Sequence, residues 1–430
     1  MINIKALSLF CSSGIGDLGL TANNIETVVA NELIEERANL FINNNPNCKM
    51  FKGNIWELQD QIIDYTKNNY PDLDIILATP PCQGMSSNGM GKMLNDYRKG
   101  IRSKHDERNR LIIPTLNIIK AIRPKWIIFE NVPNMNNTYI YDENDNFVNI
   151  VDYIFKELGD EYVGKATVVN VADYGVPQKR QRLITVLSRT KKGKNYFKEH
   201  NTFIPEPTHS QNGNKGKKKW LTLYDAIGNV PAIDATKGHN IDKSVSVIHK
   251  VPLLDEKKYF WVSNTPEGES AFNNQCINPK CLYKGNKLHG ATVNEDGINK
   301  SNSETPLYCE KCGELLPRPY VEDKDGTKRL MKGYVSAYKR MSWDEPASTL
   351  TTNFQYVSSD NKIHPTQNRV LSMYEATIIQ GISNYNYSFE INGKLVSDSL
   401  IRDTIGESVP PKIIDVVAHN ILEIEKDVDN

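Results

Sequence analysis

Short apolar runs separated by polar, glycine-bearing turns recur through the first 188 residues, and their length and spacing predict buried strands alternating with helices. Ile4 to Phe10, Thr27 to Asn31, Asp74 to Leu77 and Trp126 to Phe129 each read as a strand. Leu111 to Ile122 has a helical pattern, and Lys165 to Val171 and Leu183 to Leu187 give two further strands joined by the polar run Asp173 to Arg182. Near the other end, Glu375 to Gln380 reads as helix. Pro410-Pro411 then opens a helix whose apolar face includes Ile413, Ile414, Val417, Ile421 and Leu422; proline suits a helix start because the amide it lacks would be unpaired there anyway. From about Arg189 to Arg340 the periodicity is poor and basic runs appear, Lys191-Lys192-Gly193-Lys194 and Lys215-Gly216-Lys217-Lys218-Lys219, with Trp220 beside them. A separate, loop-rich domain is the simplest explanation.

Composition narrows this picture in three ways. At 430 residues and 39% hydrophobic content the chain can bury one or two sizeable cores. No apolar run approaches the roughly 18 residues of a membrane span, and Met1 to Lys5 leads directly into a strand without signal-peptide architecture, so a cytoplasmic protein is expected. Fifty-two basic and 52 acidic residues cancel, so any nucleic-acid binding must come from a local basic surface.

Candidate chemistry gathers at the strand ends. Cys82 follows the strand Asp74 to Leu77 through Ala78-Thr79-Pro80-Pro81, which gives a thiol a fixed approach direction and partial exposure, as a nucleophile needs. Glu130 ends the strand at Trp126, where a carboxylate is costly to ionise and is suited to sharing a proton. Cys11 to Asp17 is a small-residue turn leading into a helix. Glu32 ends the second strand 22 residues after Phe10, the spacing at which an acidic side chain in a Rossmann-like unit accepts ribose hydroxyls. In an extended run, Gln178, Arg180 and Arg182 share one face, so two guanidinium groups are expected to point at one place. The loop from Gly84 to about Asp106 carries several glycines among Lys92, Arg98, Lys99, Arg102 and Lys104. Loops of that length are usually lids or disordered segments.

Pro80-Pro81-Cys82-Gln83, Glu130-Asn131-Val132, Gln178-x-Arg180-x-Arg182 and the closing Gly406-Glu407-Ser408-Val409 resemble, in order, the motif series of the cytosine carbon-5 DNA methyltransferases. The resemblance covers the first 188 residues and the last 65 or so. It implies a Rossmann-like, S-adenosylmethionine-dependent methyltransferase fold with a mostly parallel sheet, and a smaller target-recognition domain. The implied divisions are 1–188 for catalysis and cofactor, 189–365 for recognition, and 366–430 returning to the catalytic domain. It further implies Cys82 as nucleophile, Glu130 on cytosine's nitrogen 3 and amine, Arg182 on its carbonyl oxygen, and Arg180 supporting the site and the DNA backbone. Asn131 is expected to position backbone near the Pro80-Pro81 turn. Phe10, Gly14, Glu32, Asn54 and Pro80 are expected around S-adenosylmethionine, and Gln83, Ser86, Arg98 and Thr349 on double-stranded DNA, with a cognate restriction endonuclease as a possible functional companion. His364-Pro365-Thr366, Arg369 and Glu375 fit a motif that supports the recognition region, with Arg369 and Glu375 structural. Four positions depart from the family pattern: Ser12 and Ile15 stand for glycines, Asn54 for an aspartate and Glu407 for an asparagine. Asn54 reads equally as a contact to adenine or as an ordinary turn residue.

Seven cysteines, an odd count, argue against a disulfide framework. Cys276 and Cys281, then Cys309 and Cys312 after a gap of 27 residues, have the paired spacing of a structural zinc site, here within about 272–316. Its expected role is to staple a region too loop-rich to hold a core. Two alternatives to DNA methylation are an RNA cytosine carbon-5 methyltransferase and a non-catalytic DNA-binding relative of the same fold.

Overall fold

The computed structural model describes residues 4–81, 107–293, 299–301, 304–332 and 336–426. Seven strands form the central sheet: β1 (Lys5–Leu9), β2 (Glu26–Glu32), β3 (Lys49–Lys52), β4 (Ile75–Ala78), β5 (Trp126–Asn131), β6 (Val163–Asn170) and β7 (Gln181–Ser188). Their order is β3-β2-β1-β4-β5-β7-β6, and neighbours among the first five are parallel while β7 runs antiparallel to both β5 and β6. The order reverses at β1, which is flanked by β2 and β4. Open α/β sheets place ligands outside the carboxyl ends of the strands at such a reversal.

Alternation along the strands sorts hydrocarbon into two layers. Leu7, Leu9, Ile76, Ala78, Ile127, Phe129, Leu183 and Leu187 face one side, and helices Ile55–Asn69, Ile112–Ile122 and Ile150–Leu158 cover them. Ala6, Ile75, Leu77, Trp126, Ile128, Ile184 and Val186 face the other, under the final helix Pro411–Lys426. That helix buries Ile413, Ile414, Val417 and Ile421, as its periodicity predicts; Leu422 is only partly buried and Ile424 completes the stripe. It approaches the short helix Leu18–Thr21 so closely that a Cβ on Gly19 would lie 2.4 Å from the Asp415 amide nitrogen.

The domain boundaries expected from sequence cut through packed cores. Helix Lys191–His200 and Phe203 lie beyond residue 188, yet Tyr196, Phe197 and Phe203 join the layer under the final helix, where Phe203 meets the Trp126 ring edge-on at 4.9 Å. Likewise Leu223, Ile227, Ile248, Met341, Leu350 and Phe354 share one cluster with Leu371, Met373, Ile401 and Ile405 from beyond 365, and with Ile15, Leu18 and Leu40. A fourth cluster, built from Ile233, Trp261, Val262, Phe272, Tyr338, Ile363 and Val370 among others, takes no residue from the central sheet. Among the described residues no helix is long and apolar enough to cross a membrane.

Candidate active site and metal centre

The carboxyl ends of β1, β2, β4 and β5 open into one cavity of about 1240 Å³. Its wall takes Phe10 to Ser13 from the turn after β1, Glu32 from β2, Gly53 and Asn54 after β3, Thr79 to Pro81 after β4, and Glu130 to Asn134 from β5 onward. Lys179 to Arg182, Thr349 to Thr352 and Gly406 to Val409 close it.

At one end, Glu130 is buried and the Arg182 Nε lies 2.8 Å from its carboxylate. Burial raises the Glu130 pKa, opposed by the charges of Arg182 and Arg180; the shift remains upward, so burial dominates. Asn131 donates from Nδ2 to the Pro80 carbonyl at 3.2 Å and accepts the Val132 amide. The turn after β4 is therefore tied to β5 through a side chain, and the Thr79 hydroxyl ties it to the Phe10 carbonyl just after β1. Pro81 is the last described residue before Cys82. Cys82, Gln83, Ser86 and Arg98 lie outside the described residues.

At the other end, the Glu32 carboxylate accepts the amides of Ser12 and Ile34, both at 2.9 Å, and burial raises its pKa against those bonds and the Arg37 charge. Phe10 and Ser12 both adopt positive φ, 59° and 49°, which is uncommon outside glycine and marks local strain in this turn. Beneath it Asp17 is buried and accepts the hydroxyls of Ser8 and Thr27; desolvation pushes its pKa up to about 6.

The other expected site residues stand in different settings. Gly14 does not line the cavity. It holds φ +85° with a Cβ position 2.8 Å from the Phe41 ring, so the turn itself requires glycine there. Asn54 lines the cavity, but its side-chain oxygen accepts the Trp56 amide and caps helix Ile55–Asn69, the turn-residue reading. The extended run carrying Arg180 breaks, because Gln178–Lys179 pairs with Ala347–Ser348 and β7 begins only at Gln181. Arg182 pairs with Glu130 while Arg180 takes main-chain carbonyls, and both charges act on the Glu130 carboxylate. Arg180 is buried and donates to the carbonyls of Leu350, Gly406 and Ser408, at the edge of the cavity wall. Thr349 lines the cavity with its hydroxyl donated to the Lys179 carbonyl. Arg369 and Glu375 form a fully buried two-pronged ion pair at 2.7 Å, a structural tie. Sequence reading passed over Arg37, Asp17, Gln211, Trp220 and Asp360, all in the cavity wall. Trp220 is held there by its indole N–H on Asp173, a contact 47 residues apart that no local pattern announces.

Far from the cavity residues in sequence, the Sγ atoms of Cys276, Cys281, Cys309 and Cys312 lie within 4.8 Å of one another. Cys276 and Cys312 are 3.6 Å apart, Cys281 and Cys309 3.9 Å. Four thiolates around a tetrahedral zinc at about 2.3 Å stand about 3.8 Å from each other, so the cluster fits a four-sulfur metal site. Gly313 turns the second pair with φ +73° and donates to the Cys309 carbonyl.

The family model for C-5 cytosine-specific DNA methylase matches residues 4–423. Among curated proteins, the type II methyltransferase M1.HgaI of Avibacterium volantium is 30% identical over 97% of this chain and 98% of its own length. M1.HphI of Haemophilus parahaemolyticus is 22% identical over 98% and 88%. Among solved structures, the Entamoeba histolytica methyltransferase EhMeth aligns with a TM-score of 0.52 at 14% identity over 99% of this chain and 100% of its own, a likeness of fold. The chain belongs to the C-5 cytosine-specific DNA methylase family and is a DNA (cytosine-5-)-methyltransferase by class.

Proposed function

We propose that this enzyme methylates carbon 5 of a cytosine turned out of duplex DNA at a specific sequence, with S-adenosylmethionine as donor and Cys82 as transient covalent partner. The observation that carries the reading is the buried Glu130–Arg182 pair, which shares one cavity wall with the Pro80-Pro81 turn that runs into Cys82.

Carbon 5 of cytosine is too weak a nucleophile to take a methyl group unaided. The Cys82 thiolate adds to carbon 6, and the electron pair of the ring double bond moves toward carbon 5, with charge spreading to nitrogen 3 and the carbonyl oxygen. Glu130, whose burial favours the protonated carboxyl, donates at nitrogen 3, and Arg182 donates to the carbonyl oxygen. Bound S-adenosylmethionine would supply an electrophilic methyl for carbon 5, the sulfonium taking back the electron pair of the broken S–CH3 bond and leaving as S-adenosylhomocysteine. Loss of the carbon 5 proton then lets the carbon–sulfur bond break and returns the thiolate. These atoms are inaccessible in a stacked duplex, so the base is flipped at a cost of a few kcal/mol recovered through DNA contacts.

Glu32, Phe10 and the strained turn at Ser12 would hold the nucleoside end of S-adenosylmethionine. Zinc is the metal we assign to the four cysteines, as a staple of the recognition region.

Bisulfite mapping of random-sequence DNA after incubation with cofactor tests the reaction. One short motif methylated by the wild type and none by Cys82→Ser is the expected result. A 5-fluorocytosine duplex should remain covalently attached to the wild-type chain. Methyl transfer to tRNA alone would replace the substrate, and equal activity in Cys82→Ser would end the mechanism.

A further inference from the structure

Two side chains in the cavity wall sit at helix ends that disfavour their charge. Arg37 lies in the first turn of helix Glu35–Asn44, and Glu407 is the last residue of helix Asp398–Glu407. The helix dipole places partial positive charge at a first turn and partial negative charge at a last, so it opposes both a guanidinium at the one and a carboxylate at the other. The two meet across the wall, with the Arg37 Nη1 2.7 Å from the Glu407 carboxylate. Both side chains are partly exposed, 16% and 35%, so the pair stands between cavity and solvent. Ion pairs in such positions add little to stability. An arrangement that costs helix stability and returns little points to a ligand.

The main chain at this place is held on both sides of Glu407. Arg180 grips the carbonyls of Gly406 and Ser408, and a Cβ on Gly406 would lie 2.3 Å from the Thr352 amide nitrogen. The backbone of residue 407 is therefore anchored, so opening the pair requires movement of the side chains alone. On the opposite side, Arg37 follows Glu32 by five residues and its charge acts on the Glu32 carboxylate.

We propose that Arg37 and Glu407 form a clasp over the cofactor end of the cavity, opening to admit S-adenosylmethionine and closing behind it, so that the pair sets how long the cofactor stays. The proposal rests on the cofactor reading above. It also accounts for a carboxylate where the family resemblance places asparagine.

Release of tritiated S-adenosylmethionine into a chase of unlabelled cofactor measures the clasp directly, with melting temperatures followed in parallel. Glu407→Gln and Arg37→Gln are expected to release label about fivefold to tenfold faster than wild type while melting within a few degrees of it. The charge-swapped double variant, Arg37→Glu with Glu407→Arg, restores the pair with each charge at its favoured helix end. It should release slowly and melt no lower than wild type. Wild-type release rates in both single variants would overturn the clasp, as would a double variant as fast as the singles. Wild-type protein that binds no S-adenosylmethionine would overturn the cofactor reading, and the clasp with it.

Discussion

The sheet region and the region proposed above to recognise DNA bury their backbones by different means. In the sheet, strands satisfy their own amides and carbonyls, and the interior between them is hydrocarbon: Leu7, Ile76, Ile127 and Leu183 on one face, Ile75, Ile128 and Ile184 on the other. In the recognition region, strands of two or three residues cannot do this. Its buried carbonyls take side-chain donors instead. Arg340 alone donates to Val262, Thr265, His364 and Gln367 carbonyls and to the Asn368 side chain. Arg318 holds Asn274 and Pro306, while Asn274 holds Trp261 and Pro317. Burial pushes the pKa of both arginines down to about 10, so at neutral pH they stay charged. Buried polar backbone must be paired. Where the chain lacks long strands, guanidinium groups and four thiols replace the ladder.

Metal removal should separate the two regions most sharply. Structural zinc sites contribute on the order of 10 kcal/mol to small domains that depend on them. Chelation, or Cys309→Ser, is therefore expected to abolish DNA binding in a gel-shift assay. S-adenosylmethionine affinity by calorimetry should stay within about threefold, since the cavity's cofactor end is built on the sheet. Loss of both affinities together would erase the distinction drawn here.

Next in size, Glu130→Gln should slow methyl transfer by about 10²- to 10⁴-fold, the usual range for a lost proton donor. Because burial raises the Glu130 pKa in the folded state, its ionisation opposes folding, so the variant should be no less stable than wild type at neutral pH. Urea denaturation beside single-turnover rates checks both halves.

Arg340→Met would strand five acceptors, four of them backbone carbonyls, and should cost about 3–5 kcal/mol. The loss should appear in hydrogen exchange of the recognition region, with the sheet amides unchanged. Uniform loss of protection across both would mean that the two regions unfold as one.

The smallest effect belongs to the sheet side alone. Asp17 has a folded pKa of about 6 against an ordinary value of 3.8, so it binds its proton more tightly folded than unfolded. Its contribution is fully present below pH 3.8 and is lost as pH rises through 6. Relative to Asp17→Asn, the wild type should therefore lose up to about 3 kcal/mol between those values. A gap that is constant with pH would contradict the burial argument.

Periodicity made the sheet legible because a strand buried on both faces must be apolar: the runs at Asp74 and Trp126 mark β4 and β5 almost to the residue. Glu130 could be placed at a strand's carboxyl end for the same reason. Arg180 could not, since strand alternation assumes an unbroken strand and the pairing of Gln178–Lys179 with Ala347–Ser348 interrupts it. Hydrophobic packing runs across residues 188 and 365: composition reports where periodicity fades, whereas Phe203 and Phe354 pack according to shape.

By itself the sequence determined six of the seven sheet strands, missing only the short β3, which residue types stand at strand carboxyl ends, and that four cysteines have metal-binding spacing, because each follows from local period or short separation. Tertiary structure alone decided that Arg180 turns inward to the chain's end, that Arg37 meets Glu407, and that Trp220 stands in the cavity wall. Those contacts join segments far apart in the chain, where the choice of partner depends on which unpaired carbonyls and charges the folded backbone brings within reach.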